Sequence, residues 1–527
     1  MKNIESMINK YMQENQVPGT AVTIIKEKQV WLSKGFGKTN VEEWGADVSE
    51  QTLFRIASVS KLLTGTMIMM LVEKGLIDLD EPIRTYVPWF TTDSEEYSKL
   101  VTMRMLLCHS TGLPTGGLPS GYKDEKGLYL YMKEVVPTLT QHFYPGTAYS
   151  YSNHGVNIAG FVAETVTQKP FATLMEELIY KPLEMKQTTY SLLKAATYPL
   201  ALPHNKDAEG NLQIIHELYE NTSNYPCSYA YSSIKDLSNF AMLHLNNGLF
   251  NGKRLLEESS IEEMRTMQAK WYNKTNGGCG ISFFQEVKDG IKRFWHYGQF
   301  NDNFTSQFIL VPEKGMAVIV LANGDQAFQL GYDIVDELLK DEKVEKEDWI
   351  QVTDRFLWKD FEGTYLHGYW GIMEISNGYL KHNDNKYELI PFNDDSYIAI
   401  NENGDHKFII GFPELTPDQQ KVVMINSRNC SIITLGYQPN PSDWENLEGA
   451  YSDEIETYKV WIKDSSTLMI KDYQTGQDIE AQAILSNQFL TKEYGHVGFI
   501  EINGVMNIEF DFAWRNPRIS NEVFALN

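Results

Sequence analysis

The sequence predicts an α+β fold, an antiparallel sheet flanked by helices and interrupted by a helical insertion, followed by an all-β C-terminal region of one or two small barrels. Three observations predict it. Strand-like alternation appears at both ends of the first 340 residues; the stretch between them reads as helices and loops; and beyond the charged run Lys340 to Asp348 the texture changes to short alternating strands separated by Gly, Asn and Asp.

Taken in order, Ile4, Met7, Ile8 and Tyr11 recur at helical spacing until Pro18-Gly19 breaks the pattern. Ala21 to Ile25 and Val30 to Phe36 then read as a hairpin around the polar turn Lys26-Glu27-Lys28-Gln29. Phe54-Arg55-Ile56-Ala57-Ser58-Val59-Ser60-Lys61 leads into the apolar run Leu62 to Val72, a long buried helix stopped at Gly75. A short helical piece at Met103 to Leu107 precedes the loop Cys108-His109-Ser110-Thr111-Gly112-Leu113-Pro114. The insertion that follows, to about residue 270, includes amphipathic stretches at Val156 to Val166 and Ile234 to Leu245. Strand character returns at Arg293 to Tyr297, Thr305 to Val311 and Met316 to Leu321, and Leu330 to Leu339 closes the region as a helix.

These readings divide the chain into a domain at 1–340, a linker at 341–355, and β-barrel-like units at 356–440 and 441–527, with the alternative that the last two form one lipocalin-like barrel. The two-unit division rests on a weak repeat, in which Phe361-Glu362-Gly363-Thr364-Tyr365 answers Leu447-Glu448-Gly449-Ala450-Tyr451.

Composition narrows the class. A chain of 527 residues with 42% hydrophobic and 12% aromatic residues has ample material for a core, which excludes disordered and fibrous proteins. A net charge of -24 without a Lys/Arg cluster argues against a nucleic-acid partner. No signal-peptide pattern and no membrane-length apolar run is seen, so a cytoplasmic protein without a membrane partner is expected. Cys108, Cys227, Cys279 and Cys430 lack metal or disulfide spacing, and His216-Glu217 lacks the second histidine of a metalloprotease. No metal and no cofactor is therefore expected, and a homo-oligomer is compatible with everything in the sequence.

The chemistry-bearing residues come in three pairs. Ser58 and Lys61 stand three apart where the long helix begins, so both can face one cleft. This S-x-x-K pattern occurs four times, at Ser58, Ser120, Ser191 and Ser232, but only Ser58 precedes a long apolar helix. The competing reading makes Ser58 a helix cap and Lys61 a solvated side chain. Tyr151-Ser152-Asn153 supplies a Y-x-N on a loop, and His296-Tyr297-Gly298 an H-x-G at a strand edge; each pattern has a decoy elsewhere, at Tyr219 and His496. Asp302 could face a substrate amine, against the commoner solvated loop carboxylate.

In this order, with the supporting stretches Leu107 to Pro114 and Leu310-Val311-Pro312, the motifs resemble the serine β-lactamase and penicillin-binding-protein superfamily. The branch resembled is the class C-like one that includes D-aminopeptidases, D-amino-acid-specific peptidases and esterases, and the resemblance covers roughly residues 1–340. It implies a β-lactamase-like fold, Ser58 as nucleophile, and Lys61 or Tyr151 as base. Either base needs a lowered pKa, Lys61 through burial and neighbouring cations, Tyr151 through Lys61 and a protonated His296. It further implies Asn153 on the substrate carbonyl and on Lys61, an oxyanion hole from the N–H groups of Ser58 and Gln299, and a Gly298 that spares room for substrate.

Where many relatives carry lysine this chain has His296, which holds a carboxylate less firmly and weakens the case for penicillins. The expected function is a serine hydrolase working through an acyl-enzyme on short D-residue-containing peptides. A carboxylesterase on small acyl esters, a weak β-lactamase or penicillin-binding activity, and a non-catalytic binding protein are the alternatives.

Overall fold

The computed structural model describes residues 2–519 except 117–122, 208–209, 217, 219, 274–276, 301–303, 343–356, 369, 417–418, 434–438, 453–456, 474, 486, 492–494, 503–504 and 511–513. Asp302 and nearly all of the linker expected at 341–355 lie outside the described residues.

Helix α1 (Lys2–Glu14) buries Ile4, Ile8 and Tyr11 and leads into the hairpin β1 (Gly19–Lys26) and β2 (Gln29–Gly37). The insertion contains α2 (Ser60–Glu73), α3 (Asn153–Thr167) and α4 (Ile234–Leu245). After it come β3 (Ala269–Lys270), β4 (Gly278–Cys279), β5 (Phe284–Lys288), β6 (Ile291–Phe300), β7 (Phe304–Val311) and β8 (Met316–Ala322), then α5 (Ala327–Leu338). The sheet runs β2-β1-β8-β7-β6-β5-β4-β3, antiparallel at every pairing. Because β1 pairs with β8 from Thr20↔Ala322 to Ile25↔Ala317, the two ends of this sequence region meet inside one sheet.

The strand period of two divides the core into two layers. Phe308, Leu310, Ile319 and Leu321 pack with the helices of the insertion, whereas Ile309, Val311, Val318 and Val320 pack with Ile8 of α1 and Ile334 of α5. Helix α2 lies between sheet and insertion, and Ser60 to Leu71 are all buried. This explains a sequence that is apolar all round. At 14 residues it is no membrane span, and among the described residues no helix is long and apolar enough to cross a membrane.

The C-terminal region forms two closed eight-stranded barrels, the first from Gly363–His367 to Arg428–Ile433, the second from Gly449–Ser452 to Trp514–Ile519. Each closes on itself, through Thr364↔Ile433 and Ala450↔Ile519, so a single barrel shared by both units is not what forms. The five-residue repeat is one corner used twice. Tyr365 Oη donates to the Phe361 carbonyl at 2.6 Å and Tyr451 Oη to the Leu447 carbonyl at 2.6 Å, while Glu362 and Glu448 accept from the backbone N–H of Asn377 and Ile462. The first barrel docks beside β3 to β6. Val422 and Met424 share a buried cluster with Trp271, Phe284 and Trp295, Tyr272 lies against Gly411, and Lys270 pairs with Asp395.

Candidate active site

Ser58 lies on a single 3-10 turn, Ala57–Val59, that feeds α2. The turn is reached through Ala57 at φ +45°, a left-handed conformation that a non-glycine residue adopts at a cost and that here aims the next side chain out of the helix line. Neither helical segment has a side-chain cap, so the cap reading of Ser58 does not hold. Its Oγ accepts instead from Lys61 Nζ at 2.9 Å and from Tyr151 Oη at 2.9 Å.

Lys61 is fully buried, not solvated. Besides Ser58, its ammonium donates to Asn153 Oδ1 at 2.7 Å and to the carbonyl of Cys227 at 2.8 Å. The same α2 face holds this 226–228 loop through Ser60, which donates to the Ser228 carbonyl, and Thr64, which donates to the Pro226 carbonyl. The Cys227 carbonyl was not legible in the sequence, because a backbone acceptor carries no residue-type signal.

The Y-x-N spacing has a local cause. Ser152 caps α3, accepting from the Gly155 N–H at 3.1 Å, and so leaves the residues on either side to face the site. The preceding strand of loop is templated by His109, whose carbonyl accepts from Ser150 N–H at 2.7 Å and whose Nδ1 accepts from Ser152 N–H at 3.1 Å. His109 itself sits at φ +60° with its ring 4.6 Å from that of Tyr151.

On the other wall, the described pairing of β6 with β5 runs from Lys288↔Ile291 as far as Phe284↔Trp295, and His296 to Phe300 continue the strand along β7. Gly298 is where this strand crosses the turn before Ser58. A Cβ there would stand 2.4 Å from the Ile56 carbonyl oxygen, 2.4 Å from Ser306 Oγ and 3.0 Å from Ala57 Cβ. The expected reason for this glycine, room for substrate, is thus replaced by another: the protein's own backbone occupies the space. Ser306 Oγ locks the crossing by donating to the Ile56 carbonyl at 2.7 Å. Arg55 braces it further, with its guanidinium 4.7 Å from the Tyr229 ring, 4.8 Å from Tyr231 and 4.6 Å from Phe300.

Electrostatics separates the two bases that the sequence left open. Burial pushes the Lys61 ammonium down to about 8, opposed by Cys227; no neighbouring cation contributes. Burial holds the Tyr151 phenol above its ordinary value despite the Ser58 hydrogen bond. The expectation of a protonated His296 is overturned. Burial, and secondarily the Lys61 charge, push its imidazole down to about 3, and it is neutral at physiological pH. Its ring stacks on Phe284 at 4.3 Å and its Nδ1–H donates to the Tyr297 carbonyl at 2.6 Å. Its Nε2 is buried without a hydrogen-bond partner among the described residues. Lys61 and Tyr151 meet at Ser58 Oγ, with Nζ 4.9 Å from the Tyr151 ring.

Ser58, Lys61, Tyr151 and Asn153 are therefore brought into one hydrogen-bonded group, with His296, Gly298 and Gln299 on the strand beside it. A cleft of about 720 Å³ opens from this group, bounded by Tyr149, Tyr151 and Tyr297 on one side and by the first barrel on the other. Ser58 is not in its wall; Tyr151, which is, hydrogen-bonds to Ser58. Chemically, a half-buried hydroxyl between a partly neutral amine and a phenol can attack an acyl carbon. Among the described residues there is no cluster of three or more His, Cys, Asp or Glu that could hold a metal.

A family model described as Beta-lactamase matches residues 4–339. The protein flp of Staphylococcus aureus (strain MW2) is 25% identical over 323 residues, 61% of this chain and 63% of that protein, so the match spans less than two thirds of that relative. Penicillin-binding protein 4 of Amycolatopsis lactamdurans is 25% identical over 336 residues, 62% of this chain and 86% of that protein. The solved octameric penicillin-binding protein homologue from Pyrococcus abyssi superposes with a TM-score of 0.56 over 98% of this chain and 99% of its own, at 19% identity. That likeness extends the shared fold over the C-terminal barrels.

Proposed function

This chain belongs to the beta-lactamase family of serine hydrolases, and we propose that it cleaves small acyl compounds through an acyl-enzyme on Ser58, with amides of short D-residue-containing peptides as its substrates. The observation that carries the proposal is the convergence of Lys61 Nζ and Tyr151 Oη on Ser58 Oγ, each at 2.9 Å. Lys61, already shifted to about 8 by burial, takes the Ser58 proton as Oγ bonds to the substrate carbonyl carbon. The backbone N–H groups of Ser58 and Gln299 hold the oxyanion, fixed donors being worth about 3 kcal/mol each. Tyr151 relays a proton to the departing nitrogen, the C–N bond breaks, and water then releases the acyl group by the reverse proton path. Asn153, tied to Lys61 through Oδ1, donates one Nδ2 hydrogen to the Gly116 carbonyl at 3.4 Å and offers the other to the substrate.

The D-residue preference and the choice of amide over ester come from the resemblance of the motif set to the D-peptidase branch, and they are tested together. A fluorophosphonate should add once to the native protein by intact mass and not at all to Ser58→Ala. A panel of matched D- and L-aminoacyl amides and p-nitrophenyl esters should show Ser58-dependent turnover highest for the D-amides. An unlabelled native protein refutes the hydrolase; turnover confined to the esters refutes the peptidase half alone.

A further inference from the structure

The short helix Met103–Leu107 ends with Ser110 N–H donating to the Met105 carbonyl at 3.0 Å, and between them His109 stands at φ +60°. This is the helix-ending turn whose left-handed residue is ordinarily glycine and sometimes asparagine. A histidine there costs backbone energy that glycine would not, at a position only 1% exposed.

The contacts of that histidine lie on both sides of Tyr151. Its carbonyl accepts from Ser150 N–H at 2.7 Å and its Nδ1 accepts from Ser152 N–H at 3.1 Å, so one residue holds the chain immediately before and after the tyrosine. Its ring lies 4.6 Å from the Tyr151 ring, which also meets Phe284 at 6.1 Å and His296 at 6.2 Å. With both neighbours and one ring face fixed, the phenol is directed to where Oη donates to Ser58 Oγ at 2.9 Å.

The tautomer agrees with this role. Because Nδ1 accepts, the ring proton is on Nε2, which is buried without a hydrogen-bond partner among the described residues. An unpaired buried N–H is unfavourable, and the ring tolerates it while keeping Nδ1 for Ser152. Burial, and after it the Lys61 charge, hold the imidazole well below its ordinary pKa, so it stays neutral and Nδ1 remains an acceptor near pH 7. The rest of the loop is tied independently of this ring, through Gly146 N–H to the Ser110 carbonyl at 2.7 Å and Ser150 Oγ to the Leu113 carbonyl at 3.0 Å.

We propose that His109 is the positioning residue of Tyr151 for the proton transfer that releases the leaving group, an inference that rests on the acyl-enzyme reading. In that step Tyr151 Oη gives its proton to the departing nitrogen as the C–N bond breaks with its electron pair on nitrogen. Tyr151 recovers a proton from Lys61, which holds the one taken from Ser58. His109 bonds to none of these atoms and sets where Oη stands. A leaving group that needs a proton therefore depends on His109, and one that departs as a stable anion does not.

Single-turnover acylation at saturation tests this, with one D-alanyl group carried on methylamine, methanol or p-nitrophenol. His109→Ala should slow the amide and the methyl ester by about tenfold to a hundredfold, and the p-nitrophenyl ester by less than about threefold. His109→Asn, whose Oδ1 can accept from Ser152 N–H on the same left-handed backbone, should recover most of the loss. His109→Phe, which keeps a ring without the acceptor, should not. In a Tyr151→Phe background, where no phenol proton is left to position, His109→Ala should change the amide rate by less than about twofold. A fall of equal size for all three leaving groups, no fall for the amide and methyl ester, or the full fall persisting in Tyr151→Phe overturns the proposal. The Asn and Phe variants carry the same comparison if His109→Ala does not fold. Failure of the hydrolase reading appears separately, as a native protein that takes no fluorophosphonate; if the peptidase half alone fails, the two esters still make the comparison.

Discussion

If Lys61 is the base, the rate must titrate with Lys61 and not with Tyr151 or His296. A free lysine with pKa about 10.4 is about 0.04% neutral at pH 7, whereas one at about 8 is about 9% neutral, a gain of roughly 200-fold in competent enzyme. Stopped-flow acylation by a D-aminoacyl p-nitroanilide across pH 5 to 10 should therefore fall tenfold per unit below about 8 and level above it. Tyr151→Phe removes a 2.9 Å donor to Ser58 and should lower the plateau by about a hundredfold while leaving the limb in place. Lys61→Met should cost about a thousandfold or more and abolish the limb. A limb that survives in Lys61→Met, or that vanishes in Tyr151→Phe with Lys61 intact, refutes the assignment.

Two further outcomes follow from the strand that carries His296 and Gly298. Gly298→Ala puts a methyl 2.4 Å from the Ile56 oxygen, two residues before Ser58, so the turn must shift; we expect a loss of about 1–3 kcal/mol in thermal unfolding and of about a hundredfold in kcat. Ser306→Ala should not rescue it, because the Ile56 carbonyl remains, and an unchanged kcat and Tm in Gly298→Ala would contradict the geometry. His296 should stay neutral, with its proton on Nδ1, from pH 8 down to pH 5 by ring nitrogen NMR. Because its folded pKa is about 3 against about 6.5 when unfolded, the unfolded chain alone gains a proton below pH 6.5, and stability falls by up to about 1.4 kcal/mol per unit from there toward pH 3. His296→Gln should flatten that slope by up to one proton, and an unchanged slope would show that His296 takes up its proton equally in the folded and unfolded states, against the lowered pKa.

Much of the hydrolase region was legible because its signals are local. Helix α4 occupies Ile234–Leu245 and the short helix Met103–Leu107, the same residues that periodicity picks out. Strand β6 extends past the expected Arg293 to Tyr297 to Ile291–Phe300, since its far half is held by pairing with β7 rather than by alternation of its own. The repeat at Phe361 and Leu447 was visible in ten residues, and the structure supplies its reason in the two tyrosine-to-carbonyl tethers.

By itself the sequence placed the candidate residues, Ser58 and Lys61 three apart where a long helix begins and Tyr151 and Asn153 two apart on a loop, because those relations are written in spacing along single elements. It also determined that an antiparallel sheet would be closed by strands from both ends of the hydrolase region. Only the tertiary structure decided which of them titrates near neutrality, since burial of Lys61, Tyr151 and His296 is imposed by segments far away in the chain, and desolvation outweighs the neighbouring charges. It alone decided that Gly298 makes room for Ile56, and that the hairpin at Asn426 to Asn429, more than 350 residues after Ser58, lines the cleft. Close approach between distant segments is a property of packing, and no period or motif encodes it.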